Sequence, residues 1–200
     1  MPDRESSVIV ALRERRSAGK LKPDPVPRAL VEQMITAATW APNHRLTEPW
    51  RFVVLAGEAR AALGEVMAGS LRARLGDPLG SHEAAQLEKE RHKPLRAPIV
   101  IVVAALPSRE PGVIESEEIA AVAAAVQNML LAAEALGLGA MWRTGEAARD
   151  PRVREHLGLP AEAHLVAFVY VGYTEHTQRR TREGDGAAFT TWKGSFPSDL

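Results

Sequence analysis

Apolar residues recur with a helical period early in the chain, then run unbroken in short β-branched blocks, and this change of rhythm lays out the elements. Val8, Ile9 and Leu12 share one helical face up to Arg15, with Ser6 or Ser7 placed to accept from the first free amides. Arg16 to Pro27 holds three prolines, a glycine and an aspartate and reads as a loop. A second helix begins at Pro27, turns Leu30, Met34, Ile35 and Ala38 inward, and ends at Ala41-Pro42-Asn43-His44. Phe52 to Ala56 reads as a buried strand and Glu58 to Leu75 as an amphipathic helix. Gly76 to Ser81 breaks that helix, and Glu83 to His92 predicts another with a polar face, forming a lid or variable excursion. The unbroken run Ile99 to Ala105 predicts a central strand covered on both faces.

Glu117 to Leu136 is Ala-rich and apolar nearly all round, which predicts a helix buried on most sides in the assembled particle. Gly137 and Gly139 close it. Ala140 to Thr144 then predicts a strand end, Pro151 to Leu157 a short helix stopped by Gly158, and His164 to Val171 a last strand. Helices outnumber strands without βαβ alternation, so the fold class is α+β rather than doubly wound. From Thr174 the chain is polar and carries Arg179-Arg180-Thr181-Arg182, followed by Phe189, Trp192 and Phe196. Burying two of those aromatics contributes several kcal/mol at roughly 25 cal/mol per Å², so the tail is expected to pack on a core or a partner subunit.

With 200 residues, 46% of them hydrophobic, one compact domain spanning 1–200 is the expectation. Lys and Arg total 25 and so do Asp and Glu, so no net charge draws the chain to nucleic acid or an anionic membrane. The absence of cysteine excludes disulfides, thiolate metal sites and thiol redox chemistry, which leaves any redox role to a cofactor. Met1 to Ser7 lacks the apolar core of a secretory signal, and Ala97 to Leu106 is about half the length of a membrane span; the expected location is the cytoplasm.

Three constellations carry candidate chemistry. Arg15-Arg16-Ser17 offers forked guanidinium donors and a hydroxyl that suit a phosphate, or else forms a solvated basic helix end. The block from Ala41 to Phe52, with His44 and Pro49-Trp50, gathers donors between a helix and a strand, or is a loop packed on the core. In Gly137-Leu138-Gly139-Ala140-Met141-Trp142-Arg143-Thr144 an indole beside a guanidinium can wall a flat ligand, or be a core Trp next to a surface Arg. The glycines there follow a helix and the third is missing, so the dinucleotide fingerprint is rejected. No Gly-x-Ser-x-Gly elbow or His-Glu-x-x-His helix supports a hydrolase, and His82 and His92 lie in a polar region.

In order and spacing, these motifs and the last strand through Gly172 resemble the nitroreductase family of FMN enzymes over nearly the whole chain. The resemblance implies a central, mostly antiparallel sheet flanked by helices and an intertwined homodimer with flavin sites shared between subunits. It implies that Arg15, Arg16 and Ser17 grip the FMN phosphate and ribityl chain, and that Trp142, Arg143 and Thr144 line the flavin. His44 would reach the flavin held mainly by the other subunit, and Arg182, with Arg180, matches a looser phosphate-holding position. The implied activity is reduction of a small oxidised substrate, such as a nitroaromatic or quinone, with NAD(P)H as co-substrate and no protein group serving as general acid. The alternative is a protein of the same fold that binds or senses FMN without NAD(P)H turnover. Gly19-Lys20, Leu46 and Glu48 depart from common family residues and bear on substrate and partner-side contacts.

Overall fold

A computed structural model describes residues 7–75, 78–174 and 184–194. Four strands form one sheet: β1 (Trp50–Ala56), β2 (Ile99–Ala105), β3 (Gly139–Arg143) and β4 (His164–Gly172), in the order β1-β2-β4-β3. Every neighbouring pair is antiparallel, with Trp50 opposite Ala105, Ile99 opposite Val171 and Gly139 opposite Gly172. All of β2 is buried, as its unbroken apolar run predicts.

The period-two alternation of the strands divides the core into two layers. Ile101, Val103 and Val169 pack with Val31, Met34 and Ala38 of α2 (Arg28–Thr39) and with Val122, Val126 and Met129 of α5 (Glu115–Ala135). On the other face, Val100, Val102 and Phe168 pack with Leu63 and Met67 of α3 (Glu58–Leu75) and Val153 of α6 (Pro151–His156). α2 turns Val31 fully inward, whereas Leu30 and Ile35 are only half-buried against the core. By length and composition α5 could cross a membrane, but here its apolar side lies against α2 and the sheet.

The excursion predicted after α3 is a wall rather than a free lid. α4 (Ser81–Arg91) packs along α3, and Gly64 makes that possible, because a Cβ there would lie 2.0 Å from the carbonyl oxygen of Arg91. The first helix, α1 (Ser7–Glu14), buries none of its residues, and Val8, Ile9 and Leu12 are exposed. In the tail, Phe189 is 91% and Trp192 71% exposed, so neither enters the core of its own chain.

Candidate functional site

The first candidate run lies directly against the third. Ser17 forms a parallel bridge with Ala140, and Ala18 donates its amide to the Ala140 carbonyl at 3.0 Å. Gly139 permits this approach, since a Cβ on it would stand 2.8 Å from Ala18 and 2.9 Å from Leu21. Arg15 and Arg16 are half-buried and Ser17 is exposed. The Arg16 Nη1 donates to the carbonyl of Arg15 at 2.8 Å and to that of Arg13, which turns this guanidinium back over the end of α1. Arg143 follows Ala140 by three residues, about 10 Å at a strand's rise, so the arginine pair and the end of β3 share one sheet edge.

Within β3 the side chains separate. Trp142 packs with the α2–α5 layer, and its indole Nε1 donates to the Val166 carbonyl at 3.1 Å. Arg143 points to the other face, 5.7 Å from the centroid of the Tyr170 ring, with its Nε 3.1 Å from the Met141 sulfur. An indole and a guanidinium walling one face of one ring is therefore not the arrangement formed. Adjacent strand residues alternate faces, and the sequence motif does not express that until the strand is fixed. What β3 offers along its edge is backbone. The alternation that turns the Ala140 carbonyl toward Ala18 turns the amide and carbonyl of Trp142 the same way, outward from the sheet.

Beyond Arg143 a cavity of about 540 Å³ opens between β3, β4, α3 and α4. Met67, Leu71, Phe168 and Tyr170 give it an apolar floor, and Arg143, Thr144 and Gly145 form its β3 rim. Its far side carries Lys89, Lys93 and Arg96, residues that the sequence reading left in a polar excursion without a role. The available signal was four cations in eight residues ahead of β2, Lys89, Arg91, Lys93 and Arg96, but a solvated helix face has the same composition. Burial pushes the Tyr170 phenol up to about 12, so it remains neutral. The rim between β3 and α6 is tied to α3 by Asp150, which accepts from the Ser70 hydroxyl, from Arg152 Nη2 at 2.7 Å and from the Arg152 amide at 2.9 Å. The Arg152 guanidinium, with Ser70, holds the Asp150 carboxyl well below the usual carboxylate range despite its burial.

His44 lies elsewhere. Its Nδ1 is 2.9 Å from Glu117 at the start of α5, and its segment leads into β1, which is separated from β3 by two strands, about 14 Å at the usual spacing. One chain thus keeps His44 apart from the β3 edge. The segment is strained: Arg45, Leu46 and Glu48 have φ of 57°, 52° and 49°, the left-handed region that side chains disfavour. Asn43 Oδ1 accepts from the Glu48 amide at 3.0 Å, and the buried Glu118 accepts from Thr47 Oγ1 at 2.6 Å and from the Ser108 amide at 3.3 Å. Arg180 and Arg182 lie outside the described residues.

The sequence profile of the nitroreductase family matches residues 12–173, which include both the Ser17–Ala140 junction and the cavity rim. The chain belongs to the nitroreductase family. Membership makes it an oxidoreductase, and the antiparallel sheet with its helices is the nitroreductase-like α+β fold. Among relatives, the Escherichia coli K12 protein named "Putative NAD(P)H nitroreductase YdjA" is 35% identical over 159 residues, 79% of this chain and 83% of its own. The similarly named YfhC of Bacillus subtilis is 31% identical over 165 residues, 82% of each chain. Among solved structures, a nitroreductase-like family protein of Bacillus cereus superposes with a TM-score of 0.79 at 25% identity, over 98% of this chain and 100% of that one. A "putative nitroreductase in complex with FMN" from Desulfovibrio desulfuricans gives a TM-score of 0.70 at 28% identity, over 96% of this chain and 99% of that one.

Proposed function

We propose that this nitroreductase-family chain is a cytoplasmic, single-domain, homodimeric enzyme that binds FMN along the β3 edge and uses NAD(P)H to reduce small oxidised organic compounds such as nitroaromatics or quinones. The observation that carries this reading is the Ser17–Ala140 bridge, which joins a phosphate-suited run to the strand that leads into the cavity. The donor set fits the cofactor: Arg15, Arg16 and the exposed Ser17 hydroxyl suit a phosphate dianion, and the outward Trp142 amide suits the polar edge of a flat heterocycle. The names of YdjA and YfhC and the FMN complex of the Desulfovibrio protein favour the same reading.

When bound, FMN supplies hydride transfer from NAD(P)H to the oxidised substrate in a ping-pong cycle. The chain's own tasks are placement and electrostatics. Arg15, Arg16 and Ser17 hold the phosphate, with Arg182 a further candidate for it. The amide of Trp142 orients the ring edge, while Arg143 and Thr144 line it and Arg143 supplies fixed positive charge where negative charge develops. His44 serves the site of the second copy. Two features support a dimer: the separation of His44 from β3 within one chain, and the exposed Phe189, Trp192, Val8, Ile9 and Leu12, an apolar surface that a partner would cover.

A visible absorption spectrum of the purified protein, followed by anaerobic addition of NADH and then NADPH, tests the proposal. A flavin spectrum that bleaches with either nucleotide is the expected result. A colourless protein that takes up no FMN refutes the reading, and a yellow protein inert to both nucleotides establishes the alternative, FMN binding or sensing without turnover.

A further inference from the structure

Among the described residues, Glu118 is the one charged side chain that is fully buried, at 1% exposure. Its neighbours in the first turn of α5 meet exposed histidines, Glu115 with His164 at 3.1 Å and Glu117 with His44 at 2.9 Å. Glu118 turns inward, and among the described residues no cation pairs with it. Taking a carboxylate out of water without a cation is costly, and an apolar residue would fill the space without that cost. What the carboxylate adds is a tie between two loops. One oxygen accepts from the Thr47 hydroxyl at 2.6 Å, ahead of β1, and the other from the Ser108 amide at 3.3 Å, just after β2. Two further contacts join the same loops: the Leu106 amide donates to the Pro49 carbonyl at 2.7 Å, and Arg45 Nη1 to the Pro111 carbonyl at 2.9 Å.

The tied segment does not hold its own shape. Arg45, Leu46 and Glu48 all stand in the left-handed region that their side chains disfavour, so the segment relaxes unless contacts fix its path. Arg45 makes its contact in solvent, and Asn43 Oδ1 accepts from the Glu48 amide at the exposed surface. Of the side-chain contacts to the segment, that to Glu118 is the least open to competition from water. It also leads to His44, because the Thr47 hydroxyl oxygen lies 3.4 Å from the His44 carbonyl. We infer that Glu118 is a positioning residue: by holding Thr47 it keeps the strained segment in place, and through that segment it sets where His44 stands for the flavin site of the second copy. The inference rests on the proposed function above and adds to that site a residue that touches neither cofactor nor substrate.

FMN titration and hydrogen exchange of the full-length protein and its variants test it. Thr47→Val removes the hydroxyl at nearly constant volume, and Glu118→Leu removes the carboxylate. Each is expected to weaken FMN binding by up to about tenfold, the size of one hydrogen bond, and to speed deuterium uptake over residues 43–49 without speeding it across the sheet. Thr47→Ser, which keeps the hydroxyl, should retain the parent affinity. The deciding measurement is the same pair of substitutions made on His44→Ala. A residue that acts through His44 has nothing left to position there, so neither substitution should weaken FMN binding further. Parent-like FMN affinity in Thr47→Val overturns the inference, and so does a loss of the same size with and without His44. Should Glu118→Leu not fold, Thr47→Val decides alone. A parent protein that takes up no FMN refutes the proposed function instead, and unchanged exchange over 43–49 in Thr47→Val then overturns the tie as well.

Discussion

At the scale of single residues, backbone and side chain of one position do different work. Trp142 turns its indole into the α2–α5 layer and its amide out of the sheet edge. Trp142→Phe should therefore cost about 0.5–1.5 kcal/mol of stability, the value of one neutral hydrogen bond, and leave FMN affinity within about twofold. Arg16→Ala should do the reverse, weakening FMN binding by about 1.5–3 kcal/mol with little change in melting temperature. Fluorescence titration of FMN and thermal denaturation of both variants separate the two effects, and unchanged FMN affinity in Arg16→Ala removes that residue from the site. The presence of Trp142 and Arg143 was legible from the motif. Their opposite faces were not, because the pleat assigns faces only once the partner strand is known.

At the scale of elements, the cavity depends on two contacts between segments far apart in the chain. Gly64 lets α3 meet the end of α4, and Gly64→Ala forces a methyl to within 2.0 Å of a backbone carbonyl. The backbone must shift, so a loss of about 1–3 kcal/mol is expected by chemical denaturation. The second contact is Asp150, which ties the rim to α3 through Ser70 and Arg152. Its carboxyl titrates lower in the folded chain than its ordinary value of 3.8, so folding favours the ionised form. That contribution is complete above the ordinary value and disappears as pH falls through and below it. Asp150→Asn should consequently be less stable than the parent at pH 7, with the gap closing below about pH 4; a gap constant across that range would show that the carboxylate charge contributes nothing. The helix carrying Lys89 was legible from its pattern, but its position against α3 was not, because a polar helix face has the same composition whether it borders solvent or a cavity.

At the scale of the molecule, one chain leaves Phe189, Trp192 and the apolar residues Val8, Ile9 and Leu12 of α1 exposed and keeps His44 away from β3. Sedimentation equilibrium should find a dimer. Replacing Phe189 and Trp192 with Ser should raise the dimer dissociation constant by at least about tenfold, since each large aromatic contributes on the order of 1.5–3 kcal/mol when buried. A stable, folded monomer of the parent chain would contradict the shared-site reading.

The sequence by itself determined the kind and approximate extent of the elements, the α+β class and the ordered motifs that mark the family. Those properties are written in local periodicity, proline and glycine punctuation and side-chain chemistry, which act over a few residues. Only the tertiary structure decided that Ser17 meets Ala140, that Trp142 and Arg143 diverge, and that Arg74, Lys89, Arg96 and Arg143 face one cavity. Each depends on strand order and helix packing between residues tens of positions apart, which local propensity does not encode.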